Sequence, residues 1–165
     1  MKQNIKIKYL NPNCEITQFA KGDWIDCRSN GLQVYSGPVE YSAGDVVFES
    51  KLLGLGFAMQ LPAGYEAIIA PRSSTFKNFG LIPSDAIGVI DNTYCGDEDE
   101  WKFAGLAFRS GQIDDGDRIC QMKIQLSQYA TVWQKIKWLF TSGFTFEIVD
   151  HLSGKNRGGF GTTGK

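Results

Sequence analysis

Nineteen glycines punctuate the 165 residues at short intervals, and the apolar runs between them are only a few residues long. Runs of that length suit strands, and frequent turn residues between them are the mark of an all-β chain. Ile5, Ile7 and Tyr9 alternate with Lys6 and Lys8, the period of a half-buried strand. Residues 46–48, 56–61, 65–70 and 103–108 are further strand candidates, with Pro62-Ala63-Gly64 as a turn. From Gly116-Asp117 onward, Arg118, Cys120, Met122, Ile124 and Leu126 share one face, while Gln121, Lys123 and Gln125 share the other. Residues 145–149 read as a last core strand. Many short antiparallel strands in one small chain suggest a barrel or a jelly roll.

Two segments break the pattern. Residues 74–79 suit a short helix capped by Ser73 or Ser74 and stopped by Gly80. Residues 131–142 suit a longer, inserted one, capped by Thr131 and ended by Gly143, with Trp133, Ile136, Leu139 and Phe140 along one face. The helix is expected to pack on its own domain, although Lys135 and Lys137 could touch a membrane or a partner. The tail, 155–165, has four glycines and almost nothing apolar. It reads as an arm that is mobile when nothing is bound. The organisation is therefore one domain over 1–154 and a flexible C-terminal arm over 155–165.

Composition removes several classes. The net charge of −1 leaves no basic excess for nucleic acid. No apolar run is long enough to span a bilayer, and the lysine-rich start is no signal peptide, so a cytoplasmic protein is expected. Cys14, Cys27, Cys95 and Cys120 are scattered without a CxxC pair, which argues for free thiols instead of zinc or a disulfide framework. His151 is the one histidine and reads as a strand-end residue.

Five stretches could carry chemistry. Arg157-Gly158-Gly159-Phe160-Gly161-Thr162-Thr163-Gly164 combines an arginine fork, backbone N–H groups and hydroxyls, which suit phosphate oxygens, with one aromatic free to stack on a flat ligand. Pro71-Arg72-Ser73-Ser74 leads a strand into a helix start and adds donors there. In Gly88-Val89-Ile90-Asp91-Asn92-Thr93-Tyr94-Cys95-Gly96, read as a hairpin turning near Asn92-Thr93, Asp91 is a possible base and Tyr94 a possible pocket wall. Gly116-Asp117-Arg118-Ile119-Cys120-Gln121 is a tight turn into a strand, with Asp117 and Arg118 open to a local ion pair. Lys21-Gly22-Asp23-Trp24-Ile25-Asp26 offers Asp26 as an Mg²⁺ contact. The acidic run 97–100 reads as a solvated loop.

In this order and rough spacing, the five stretches closely resemble the trimeric dUTPase family over nearly the whole chain; GDWID and PRSSTFKNFG are similar to its bacteriophage and prophage forms. The resemblance implies a jelly-roll β-barrel that forms a homotrimer hydrolysing dUTP to dUMP and pyrophosphate with Mg²⁺, each site drawing on three subunits and closed by a neighbour's arm. It assigns Asp91 to activating water, Gln121 to placing the α-phosphate or that water, and Ser73 to the scissile bond. Arg72 and Ser74 would join Ser73 on the phosphates. Backbone groups of Gly88 and Ile90 would hold uracil, with Tyr94 against the deoxyribose. Asp26 would meet the Mg²⁺-triphosphate through water. Arg157, Gly161, Thr162 and Thr163 would clamp the outer phosphates, and Phe160 would stack on the base. The chain departs from the usual pattern at Cys27, at Cys95 in place of an arginine, at Asp97 in place of a glutamate, at Thr75-Phe76 after PRSS, and in the length of 127–144.

Competing readings are a dCTP deaminase or bifunctional deaminase-dUTPase, a dUTP-responsive regulatory protein docking partners through the 131–142 helix, and a nucleic-acid-binding barrel. The first lacks a glutamate in 88–96, and the last lacks a basic stripe. The lid role makes a prediction: a chain ending at Gly154 stays folded and trimeric with very low turnover of dUTP. Near-normal turnover by that shortened chain refutes the role.

Overall fold

A computed structural model describes residues 1–18, 22–41 and 44–159. The first strands along the chain are β1 (Gln3–Tyr9), β2 (Thr17–Gln18), β3 (Ile25–Arg28), β4 (Gln33–Tyr35), β5 (Val39–Glu40) and β6 (Val46–Val47). Then come β7 (Ser50–Gly54), β8 (Phe57–Gln60), β9 (Tyr65–Pro71), helix α1 (Thr75–Phe79), β10 (Leu81–Pro83) and β11 (Gly88–Asp91). The chain continues through β12 (Lys102–Ala107), β13 (Gly111–Ile113), β14 (Arg118–Leu126), helix α2 (Val132–Leu139) and β15 (Phe144–Ile148). This is a β-rich, jelly-roll-like architecture, as its glycine-punctuated sequence predicts.

The largest sheet runs β11-β9-β14-β3-β2 and is antiparallel throughout. A second has β1 between β15 and β8, and a third has β12 between β10 and β7. Their inner faces share one core, in which Ile5, Ile7, Leu53, Phe57, Met59, Ile69, Phe103 and Ile119 are almost fully buried. Trp101 sits at its centre, tilted against Phe57 with ring centroids 5.3 Å apart. The alternation in β1 and β14 is what aims these side chains inward.

Three expectations need correcting. Residues 88–96 do not form a hairpin: β11 pairs with β9, whereas the next strand, β12, pairs with β10 and β7. A packed acidic loop separates β11 from β12, so the chain leaves one sheet and enters another. The terminal strand β15 is an edge strand, parallel to β1. Only Phe144 and Phe146 lean on the core, and Ile148 is exposed. In β14 the register shifts between Arg118 and Cys120. Ile119 and Cys120 are both buried, so Arg118 leaves the apolar face.

Helix α2 packs on its own domain, as expected. Its N-terminus forms the expected cap: Thr131 Oγ1 accepts from Gln134 N, and Gln134 Oε1 accepts from Thr131 N. The face that docks is not the apolar stripe. Gln134 donates to Ala63 O at 2.9 Å, and Trp138 packs against Tyr65 and Phe144. Gln134 and Trp138 lie four residues apart and share a face. The stripe of Trp133, Leu139 and Phe140 points outward, with Trp133 80% exposed. Among the described residues no helix is long and apolar enough to cross a membrane.

The core makes a quantitative expectation. Phe57→Ala removes the ring packed on Trp101 and destabilises the fold by about 3–5 kcal/mol, read from denaturant midpoints at constant slope.

Candidate active site

Asp26 is the most constrained functional side chain. It lies on β3, is 6% exposed, and receives Arg72 Nε at 3.0 Å on one carboxylate oxygen and Arg118 Nη1 at 3.3 Å on the other. A buried carboxylate needs such partners, because desolvating an isolated charge costs far more than a pair can return. Arg72 is fixed further: its Nη1 reaches Ser74 Oγ and Arg118 O, both at 3.4 Å. The backbone beneath it is held by buried Thr75, whose hydroxyl accepts from Arg72 N and donates to Ile119 O. Ser74 is the helix N-cap by position but makes no side-chain cap bond. Gln121, opposite Asp26 in the β14–β3 register, donates to Pro71 O at 3.0 Å. Arg72, Ser73, Ser74, Gln121 and Asp26 thus come together at one end of the large sheet, with Ser73 exposed to solvent. Arg118 joins them. Its expected ion pair with Asp117 does not form a salt bridge; Asp26 takes it instead.

A second cluster lies around β11. A cavity of about 290 Å³ is lined by Gly88, Ile90, Asp91 and Tyr94, together with Lys102 and Arg157. Asp91 closes the turn that follows β11: its Oδ1 accepts from Thr93 N at 2.9 Å and from the Thr93 hydroxyl, and its Oδ2 accepts from Arg157 Nη1 at 2.6 Å. Burial pushes the Asp91 carboxyl up, but the bonds from Thr93 and Arg157 outweigh it, and its pKa lies below the ordinary carboxylate value. Tyr94 is buried, and burial together with Asp99 and Glu100 pushes its hydroxyl up to about 12. It donates to Glu100 O at 2.9 Å and stays neutral at working pH, so it forms a wall and holds no mobile proton. Phe160, Gly161, Thr162 and Thr163 lie outside the described residues, as does Lys21.

Within one chain the two clusters are far apart. Asp91 lies opposite Glu66 on β9, Gln121 lies opposite Ala70, and Arg72 follows the end of the strand. At ~3.3 Å per residue, the six steps from Glu66 to Arg72 span about 20 Å.

The acidic run 97–100 is not the solvated loop its charge suggests. Asp99 is 2% exposed and collects backbone N–H groups. Asp97 holds Leu152 N, His151 Nδ1 and Lys8 Nζ, and Glu100 holds Asn30 Nδ2 and Gly56 N. A run of carboxylates carries no signal of which member is buried; the nearby glycines Gly54, Gly56 and Gly96, each a possible close backbone approach, were the available hint. His151 is exposed, as expected of a strand-end residue.

Asp26 was the expected Mg²⁺ contact. Each of its oxygens accepts one guanidinium bond and keeps a further acceptor position, which fits a contact made through water. Among the described residues no three His, Cys, Asp or Glu side chains form a metal-holding group.

The family model for dUTPase matches residues 36–136. The SPbeta prophage-derived deoxyuridine 5'-triphosphate nucleotidohydrolase of Bacillus subtilis is 42% identical over 164 residues, covering 97% of each chain. The corresponding nucleotidohydrolase of Orientia tsutsugamushi is 36% identical, covering 70% of each. Among solved structures, the dUTPase from Streptococcus mutans aligns with a TM-score of 0.60 at 18% identity, over 72% of this chain and 89% of that one. The dUTPase of Staphylococcus bacteriophage 80alpha, from work on how phage dUTPases control transfer of virulence genes, aligns with a TM-score of 0.61 at 16% identity, over 78% and 93%. The chain is thus a nucleotide hydrolase on a jelly-roll scaffold. It belongs to the dUTPase family, the dUTP diphosphatases that yield dUMP, and its relatives include a prophage form.

The Asp91 geometry is directly testable. Thr93→Val deletes the hydroxyl bond to the carboxylate and leaves the backbone one. The Asp91 carboxyl, followed by carbon-13 NMR against pH, then titrates at higher pH than in the parent chain. An unmoved or lowered titration contradicts the arrangement.

Proposed function

We propose that this chain hydrolyses dUTP by in-line attack of water on the α-phosphorus, at sites assembled from more than one copy of itself as a homotrimer. The observation that supports this most is the separation of the two clusters. A general base must stand within hydrogen-bond reach of the proton it takes. Asp91 cannot serve the same phosphorus as Gln121 and Arg72 of its own chain across about 13 Å and about 20 Å, gaps of four and six residues set by strand rise. A second copy that brings its Arg72–Gln121 end to the cavity beside Asp91 completes one site.

In that site Gly88 and Ile90 hold the uracil edge through backbone groups, and Tyr94 presents its ring to the deoxyribose. A base edge left without its partners would be rejected strongly. Asp91, with its depressed pKa, is a carboxylate at neutral pH and takes the proton of the attacking water. Gln121 orients that water or the α-phosphate. Arg72 and Ser73, with Ser74, meet the phosphates, and Arg157 meets the charge that grows on the leaving pyrophosphate. Asp26 acts by fixing Arg72 and Arg118. Mg²⁺, when bound, would neutralise phosphate charge; we infer that it arrives with the triphosphate and meets Asp26 through water, since each oxygen of Asp26 already accepts a guanidinium bond. The arm residues Phe160, Gly161, Thr162 and Thr163 are proposed to complete the enclosure.

The exposed stripe of Trp133, Leu139 and Phe140 favours one further role, a contact face for a protein partner, in keeping with the regulatory function described for the phage 80alpha protein. Trp133→Glu then leaves subunit mass and turnover unaltered. A smaller assembly by light scattering would instead make the stripe a subunit contact.

Pyrophosphate release from dUTP, dTTP, dCTP and UTP tests the main reading. Release is expected from dUTP alone, falling by at least about 10²-fold in Asp91→Asn, the usual scale for a lost general base. Unchanged release in that variant removes Asp91 from the chemistry, and dUTP formed from dCTP would establish a deaminase.

A further inference from the structure

A second cavity, of about 390 Å³, opens at the foot of helix α2 and shares no lining residue with the cavity beside Asp91. Its apolar walls come from two places. The large sheet supplies Ile25 of β3 and Ile124 of β14, both almost fully buried. The end of α2 and the start of β15 supply Trp138 and Phe144, whose ring centroids are 6.0 Å apart. Tyr65 backs both rings, at 5.5 and 6.3 Å, so the core holds them in place. The turn between them is tied to the first strand: Ser142 N donates to Met1 O and Gln3 N donates to Gly143 O, both at 2.9 Å. This wall belongs to the 127–144 stretch, whose length departs from the usual dUTPase pattern.

Charge at the cavity is uneven. Lys2 and Lys123 both line it, against one carboxylate, Asp23. None of the three has a hydrogen bond or an ion pair among the described residues. Residues 127–146 hold two further lysines and no Asp or Glu, so the helix side does not offset the excess.

These features select a kind of ligand. Aromatic walls stack on flat rings whatever their substituents. Lysine ammonium groups are compact point charges that suit a phosphate. Thr141 and Ser142 add hydroxyls to the lining, which suit a sugar. The volume exceeds the 290 Å³ of the cavity read above as the deoxyuridine pocket, so a ring with its sugar is of fitting size.

We propose that this cavity binds an aromatic phosphate monoester of the nucleoside monophosphate class, its ring on Trp138 and Phe144 and its phosphate between Lys2 and Lys123. The site is separate from the hydrolytic one but built on the same two strands: Ile25 precedes Asp26, and Lys123 lies two residues, ~7 Å, along β14 from Gln121. It does not depend on how many copies share the hydrolytic site.

Deoxyadenosine 5'-monophosphate is the probe, because its purine does not match the uracil edge expected at Gly88 and Ile90. The full chain labelled with 5-fluorotryptophan gives one fluorine-19 resonance for each of its four tryptophans, and Trp138→Phe assigns the one at the cavity. The probe is expected to move the Trp138 resonance saturably. Deoxyadenosine, without the phosphate, and ribose 5-phosphate, without the ring, bind at least about tenfold more weakly, and the probe loses as much on Lys2→Glu and on Lys123→Glu. Both lysines are exposed and unbonded, so their reversal leaves the fold and the assembly mass intact. A fall in mass by light scattering means that copies bury this face, and overturns the proposal. A Trp138 resonance unmoved by millimolar probe also overturns it, as does a response that ribose 5-phosphate reproduces or that both lysine variants leave unchanged. The last arm separates the two sites. With the hydrolytic site saturated by a non-hydrolysable dUTP analogue, the Trp138 response persists; its loss makes the cavity part of the hydrolytic site and overturns the proposal.

Discussion

The rise of a β-strand governs how this chain can do chemistry. Strand β9 pairs with β11 on one side and β14 on the other, and so touches both functional clusters. Its backbone is nearly inextensible, and its register with both neighbours is fixed by buried side chains such as Ala67 and Ile69. Asp91 is therefore held at one end and Arg72 beyond the other. No side-chain rotation closes that gap, which is why the proposed site takes its Arg72–Gln121 end from a second copy. On that reading the oligomer follows from the catalytic requirement, a stronger reason for assembly than apolar surface alone.

Asp26 shows the same economy at smaller scale. Two arginines on one buried carboxylate leave the pair with a net positive charge at the mouth of the sheet, which is the sign a triphosphate needs. Removing either arginine leaves the carboxylate under-compensated in a poorly solvated place, so each guanidinium has a structural task beside any phosphate contact. This also explains why Thr75, a residue with no place in the chemistry, is fully buried: it ties the backbone of Arg72 to Ile119 and keeps the first guanidinium in place.

Much of this was legible in the sequence. The alternation in β1 and β14 identified their buried faces, and the motifs pointed to Asp26, Arg72 and Gln121, which gather at one end of the large sheet. The illegible parts were those where one local pattern serves two outcomes. A turn at Asn92-Thr93 is equally a hairpin or an exit to another sheet, and the length of the acidic loop decides which. An apolar stripe on α2 normally seeks the core; here Gln134 meets an open backbone carbonyl at Ala63, and Trp138 alone fills the slot between Tyr65 and Phe144. The acidic run concealed most, because burial of Asp99 depends on N–H groups that arrive from the C-terminal segment, more than fifty residues later.

Those N–H groups also determine when this seam between the acidic loop and the C-terminal segment holds. Burial alone would raise the Asp99 carboxyl, but the bonds from Arg157, Gly96, Gly158 and Cys95 outweigh it, and its pKa is lowered. A group whose folded pKa is depressed contributes stability that is present above its unfolded value, near 4, and is lost as pH falls through the folded one. The seam is consequently intact over the whole neutral and mildly acidic range. Asp91, lowered by Thr93 and Arg157, follows the same sign. Asp99 and Asp91 thus keep their charges together, and the arginine between them has a carboxylate at its backbone and another at its side chain over the same span of pH.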